Sequence, residues 1–142
     1  MFKFIIKYLG FLKVVPMVAL VFDCMLKLLM LITNPAIANY IDELEATVLR
    51  WPGTSTTLHK YGGIQFNYRG TEIGHIHSNS LLDILLSLKT KQMLLAEGRA
   101  TDHHTFIKSG WVSFYIKNDS DARYAVKLLK LGYQKHTKSV IQ

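Results

Sequence analysis

The sequence predicts an α+β domain: a small antiparallel sheet backed by helices, preceded by an apolar helical segment. Three observations lead there. Short runs of alternating apolar and polar residues recur over 54–78 and 111–117, the period of strands with one covered face. Helical periodicity with capping residues flanks and interrupts those runs. Asn34-Pro35 divides an almost continuous apolar stretch from an ordinary soluble pattern, which sets residues 1–33 apart from a domain over 34–142. A chain of 142 residues has room for one such domain and its appendage. A hydrophobic fraction of 49% excludes a disordered chain and suffices for a core.

The elements follow in order. Residues 14–32 carry only Asp23 and Lys27 as charged groups. As a helix rising ~1.5 Å per residue they just reach across a hydrocarbon layer. The apolar gain of roughly 5 kcal/mol is largely offset by those two charges, so spanning is marginal. Asp23 and Lys27 share one helical face, which suits packing on another element. Lys3 and Lys7 share a face in the preceding stretch, as in a basic interfacial helix. A cleaved signal is a third reading, opposed by the internal charges. The expectation is a membrane-associated chain, with a cap packed on a cytoplasmic domain as the alternative.

Asn34 caps and Pro35 begins a helix with Ile37, Ile41, Leu44, Val48 and Trp51 on its apolar side. Strands are expected over 54–61, 63–68 and 71–78, with Arg69-Gly70 as a hairpin turn. Ser80 reads as the N-cap of a helix over 81–97, with Asp83 three residues on and Gly98 as its stop. A loop over 99–110 carries Asp102-His103-His104, a strand covers 111–117, and Asn118 caps a last helix. That helix aligns Ala122, Ala125, Val126, Leu129 and Tyr133.

The histidines carry the chemical signal. A two-residue turn at Arg69-Gly70 pairs Tyr68 with Thr71, Phe66 with Ile73 and Ile64 with His75. That register puts His75 and His77 on the apolar, helix-covered face and leaves Gln65, Asn67 and Glu72 on the other. Desolvation there keeps an imidazole neutral and basic. His103 and His104, in a glycine-flanked loop, are expected to converge on the same pocket; His59 and His136 read as structural or solvated.

His75-x-His77 on a strand also presents two imidazoles to one side, and His103 or His104 would complete a metal site. The cupin pattern that uses such a pair wants a Glu about four residues onward and many more strands, so no metal and no cofactor is expected. The single cysteine, Cys24, excludes an internal disulfide and a Cys-based zinc site. No P-loop, dinucleotide fingerprint or nucleophile elbow is present. The net charge of +7 includes C-terminal lysines on a solvated helix face without interleaved aromatics, so nucleic acid is not an expected partner.

Three strings belong together: EIGHIH at 72–77, GRATDHH at 98–104 and SGWVSFYI at 109–116. Over about 51–133 the sequence resembles the luciferase-domain family of bacterial proteins and fungal luciferases. The resemblance implies oxidative chemistry: the fungal members oxidise a hydroxylated pyrone with dioxygen, releasing carbon dioxide and light, and carry an apolar N-terminal segment. On that footing His75, His77, His103 and His104 are candidate catalytic bases. Asp102 would orient an imidazole, and Arg99 would stabilise an oxyanion. Trp111 and Tyr115, on one strand face, would line the substrate or simply cover the sheet. Two functions are carried forward. One is a cofactor-independent oxygenase-like enzyme acting on a small cyclic enol or aromatic compound. The other is a non-catalytic module that holds an apolar or membrane-derived ligand.

Overall fold

The computed structural model describes residues 16–138, so the expected basic face of Lys3 and Lys7 lies outside the described residues. In chain order the elements are α1 (Pro16–Thr33), α2 (Ala36–Val48), β1 (Thr54–Leu58), β2 (Ile64–Tyr68), β3 (Thr71–Ile76), β4 (Leu81–Leu85), α3 (Leu88–Ala96), β5 (Thr101–Asp102), β6 (Trp111–Tyr115) and α4 (Asp119–Lys138). The strands form one antiparallel sheet in the order β1-β2-β3-β4-β6-β5. The fold is α+β, as the patterning indicates.

Helices α2 and α4 pack together on one face of this sheet. Ile41, Leu44 and Val48 of α2 and Ala125, Leu128 and Leu129 of α4 share a core with Phe66, Ile73, Ile76, Leu82, Ile84 and Val112. A Cβ on Gly74 would lie 3.2 Å from Leu129 Cδ2 and 2.7 Å from the Asp83 carbonyl, so glycine lets α4 sit close to the strands. Asn118 caps α4 through its side chain, accepting from Asp121 N at 3.0 Å. At α2 the cap is Pro35, and Asn34 contributes its carbonyl to Ile37 N at 3.1 Å.

Two expectations are corrected here. The helix over 81–97 is not one element: Leu81–Leu85 is a strand, and α3 begins only at Leu88, capped by Ser87 through Thr90 N at 3.1 Å. The run Leu81-Leu82-Asp83-Ile84 is buried throughout because β4 lies in the middle of the sheet, between β3 and β6. A continuous apolar run of that kind has no period of its own to separate strand from helix. Ser80 adopts φ +65° in the turn that joins β3 to β4, where His77 N donates to the Leu81 carbonyl at 2.9 Å.

The second correction concerns register. Tyr68 does pair with Thr71, and Asn67 pairs with Glu72. A bulge between Phe66 and Asn67 then shifts the ladder, so Phe66 meets Gly74, Gln65 meets His75 and Ile64 meets Ile76. The extra residue is Ile73, which stays fully buried in the core. Every later residue of β3 is turned over by one position. His75 therefore lies on the face of Gln65, away from Phe66 and the helices.

Helix α1 docks through Asp23, whose Oδ2 accepts from Ser78 Oγ at 2.7 Å, and through the buried Met30. None of the described helices is long and apolar enough to cross a membrane alone. The pair Leu20–Thr33 and Ala36–Val48 has the length and composition together but is bent by 116°.

Candidate functional site

The face of the sheet away from α2 and α4 carries a polar row. Register aligns His75 with Asp83, Asp83 with Ser113, and Ser113 with Thr101 across four strands. Cross-strand neighbours of this kind touch through their side chains. Ser113 Oγ donates a short hydrogen bond to Asp83 Oδ1. The other carboxylate oxygen, Asp83 Oδ2, is buried and has no hydrogen-bond partner. Three imidazoles surround it, with Nε2 of His75 at 3.5 Å, His77 at 3.5 Å and His103 at 3.7 Å. These separations exceed the 2.7–3.2 Å of an N–H···O bond.

Each ring is held by a second contact. The bulge places Glu72 beside His75, and Glu72 Oε1 lies 2.6 Å from His75 Nδ1. The ring of His77, at the end of β3, stands 4.9 Å from that of His75 and perpendicular to it. His103 Nδ1 accepts from the backbone N–H of Thr105 at 3.0 Å and of Phe106 at 3.2 Å. In a neutral imidazole this leaves the proton on Nε2, facing Asp83. Lys91 secures that loop: its buried ammonium donates to the carbonyls of Ile107 and Ser109 at 2.6 and 2.9 Å and pairs with Asp102 at 2.7 Å.

His59 completes the cluster, stacked on His75 with ring centroids 3.9 Å apart and planes 7° from parallel. A turn brings it there, with Gly62 N bonded to the His59 carbonyl at 2.9 Å and His59 N to the Gly63 carbonyl at 3.1 Å. His59 Nδ1 is buried without a hydrogen-bond partner. Phe106 and Trp111 add apolar walls, 5.1 and 5.9 Å from the His103 ring. The pocket they line measures about 180 Å³.

The electrostatics divide the imidazoles. Burial alone would raise the Asp83 carboxyl, but His75, His77 and Ser113 hold it well below the usual carboxylate range. His75 is raised: burial opposes the shift, and the Asp83 and Glu72 carboxylates outweigh it. Burial, with His75 and His77 alongside, pushes His59 down to about 4. His103 is lowered by burial despite Asp83. At neutral pH the site thus holds a carboxylate, a basic imidazole beside it and two imidazoles that resist protonation.

Residues 70–132, a little under half the chain, match the family model described as Luciferase domain. This segment is similar to that family. No curated protein and no solved structure matches the chain.

The matched segment contains His75, His77, Asp83, His103, His104, Trp111 and Ser113; His59 reaches the site from outside it. His104 stacks on His103 at 4.4 Å and lines the same pocket as His75, His77, His103 and Trp111. Three candidates are placed elsewhere. Asp102 is engaged by Lys91 at 2.7 Å. Arg99 lies over the Tyr124 ring at 3.9 Å, and it lines a separate pocket with Tyr115. Trp111 and Tyr115 do share a strand face, but the strand carries Tyr115 two positions beyond Ser113, away from the histidines. Sequence reasoning missed Asp83, Glu72, Ser113 and His59. The signal for Asp83 was available: a lone carboxylate inside an otherwise apolar strand.

Proposed function

We propose that the histidine face of this luciferase-like domain binds a small cyclic enol or aromatic compound and prepares it for reaction with dioxygen. The observation that supports this is the meeting of His75, His77 and His103 around Asp83, with His59 stacked on His75, at the wall of a pocket of about 180 Å³. An engineered cavity of about 150 Å³ holds benzene, so one substituted six-membered ring suits the volume. Dioxygen reacts slowly with closed-shell organic molecules until they are made electron-rich. His59, a neutral imidazole lining the pocket, takes the enol proton. The enolate carbon forms a C–O bond to dioxygen, which is reduced as the carbon is oxidised. The distal oxygen takes back the proton, so substrate plus dioxygen becomes a hydroperoxide.

Oxygen uptake by full-length protein against a panel of pyrones and catechols tests the reading. Turnover with a hydroxypyrone is expected, falling on the order of 100-fold in His59→Phe, the range of a general base. Absence of uptake with every compound that binds would overturn it.

One observation favours a second reading, a binding module. A cavity of about 260 Å³ lies between α1 and the sheet, lined by Met30, Ile41, Leu58, Ile64 and Ile76, and His77 borders both it and the histidine pocket. An apolar ligand seated there would use the histidine as a polar anchor. His77→Ala separates the readings: an enzyme loses turnover and keeps ligand affinity, whereas a binder loses affinity.

Membrane attachment through α1 is part of the same proposal. Met17, Val21, Met25, Leu28 and Ile32 are exposed and recur at helical spacing along one stripe, while Asp23 and Met30 face the domain. A stripe of this kind suits a helix lying in the interface.

A further inference from the structure

We infer that His75, His77 and Asp83 form a binding site for a divalent transition-metal ion. The inference goes beyond the proposed deprotonation chemistry and does not rest on it. Ligand atoms of these three residues lie within 4.8 Å of one another. Asp83 Oδ2 is buried, unpartnered and 3.5 Å from both Nε2 atoms. That spacing is too long for hydrogen bonding, yet it matches ligand pairs around a metal. Bonds of 2.0–2.2 Å at a tetrahedral angle put nitrogen and oxygen ligands about 3.4 Å apart.

Protonation supports the same assignment. Glu72 binds His75 at Nδ1, 2.6 Å away, so in the neutral ring the Nε2 lone pair faces the lone pairs of Asp83 Oδ2. Once the Nε2 proton is lost, a cation between the two would take its place. Glu72–His75 is then the outer carboxylate–histidine pair found behind metal-bound imidazoles, and Ser113 orients the Asp83 carboxylate in the same way. His103 is excluded as a ligand, because the Thr105 and Phe106 amides occupy Nδ1 and leave a proton on Nε2. It serves as a donor toward Asp83. Two imidazoles and one carboxylate with remaining positions open are the donor set of a mid-series divalent ion such as Fe(II), Co(II) or Zn(II). The reading against a metal looked for a Glu along the same strand; the carboxylate comes instead from β4, by register.

A second trio, His59, Glu72 and His75, also lies within ligand range, and the test separates the two. Full-length protein, stripped with a chelator and kept anaerobic, is titrated with Co(II) and then with Zn(II). One equivalent is expected to bind, with visible Co(II) absorption and a raised melting temperature. Asp83→Asn and His77→Asn should each weaken binding at least ~100-fold, Glu72→Gln ~10-fold, and His59→Phe less than ~3-fold. Circular dichroism checks each fold; if Asp83→Asn fails to fold, the half-buried His77 supplies the decisive variant. The inference is overturned if the wild type shows no saturable one-to-one binding, or if binding survives loss of Asp83 or His77. It is also overturned if His59→Phe abolishes binding. No substrate is used, so a failure here leaves the deprotonation reading intact, and a protein without oxygen uptake can still bind metal.

Discussion

The two faces of the sheet are made from the same strands and follow opposite rules. Leu82 and Ile84 of β4 point to α2 and α4 and are fully buried among aliphatic side chains. Asp83, between them and equally buried, points the other way into imidazoles. The helix face gains stability from apolar area, roughly 25 cal/mol for each Å² removed from water. The histidine face gives some of that up, because a buried carboxylate with an unsatisfied oxygen costs several kcal/mol. One backbone thus lets adjacent residues serve stability and chemistry almost independently.

The largest effect tests that independence directly. Leu82→Ala should cost about 2–5 kcal/mol of stability, a large share of what a domain of this size has. Its oxygen uptake per folded molecule should be unchanged. Asp83→Asn should lose at least ~100-fold in oxygen uptake per folded molecule, with some loss of stability as well, since the buried His75 and His77 lose the anion beside them. Urea melts alongside uptake assays read both quantities. Equal losses of uptake per folded molecule in the two variants would break the division between faces.

A titration sharpens the comparison next. In chelated protein His75 is raised, so its contribution is complete below about pH 6.5 and is lost as pH rises through its folded pKa. His59 is lowered to about 4 by burial, His75 and His77, with Lys60 adding and Glu72 opposing. Its contribution is present above about pH 6.5 and is lost as pH falls toward 4. Stability should therefore peak near pH 6.5 and fall by pH 5, before the carboxylates Glu72 and Asp83 lose theirs. Unfolding curves across that range check it, and His59→Phe should flatten the acid limb. A flat wild-type profile from pH 6.5 to 5 would contradict the burial of a neutral His59.

The helix face was legible in the sequence, and the histidine face only in part. Ile41, Leu44, Val48, Ala125 and Leu129 announce themselves by period, and the Arg69-Gly70 turn sets the first pair of its hairpin, Tyr68 with Thr71, correctly. The bulge at Ile73 has no such mark: two apolar residues, Ile73 and Ile76, both reach the core only if an extra residue is inserted between their registers. The strand at Leu81–Leu85 was hidden for a related reason, since full burial removes alternation. The convergence of His75 and His77 with His103 followed from motif clustering, whereas Glu72, Asp83 and His59 required the register itself.

The loop that brings His103 to the site offers a smaller perturbation. Lys91→Met keeps the buried stem and removes three polar anchors from Asp102, Ile107 and Ser109. Loss of such bonds to a charged group is worth about 1.5–3 kcal/mol each, but the loop can recover part of this in solvent. We expect roughly 10-fold weaker binding of a pocket ligand and faster amide exchange over residues 103–110. Unchanged exchange there would show that the loop is held by other contacts.

The smallest effect on stability belongs to the one apolar surface that serves neither face of the sheet. Met25 and Leu28 lie on the outer side of α1 and are more than half exposed, so placing Asp at either position should change folding stability by no more than about 0.5 kcal/mol in water. Binding to vesicles is a different matter. Each Asp would remove a buried methionine or leucine from the lipid boundary and add a charge that the interface repels. Flotation of the full-length Met25→Asp, Leu28→Asp protein with anionic liposomes should therefore fall sharply against the wild type, while the urea midpoint stays put. If the midpoint instead drops as far as in Leu82→Ala, the stripe is part of the core. Attachment through α1 would then be wrong, and the apolar helix would be a third layer of the domain.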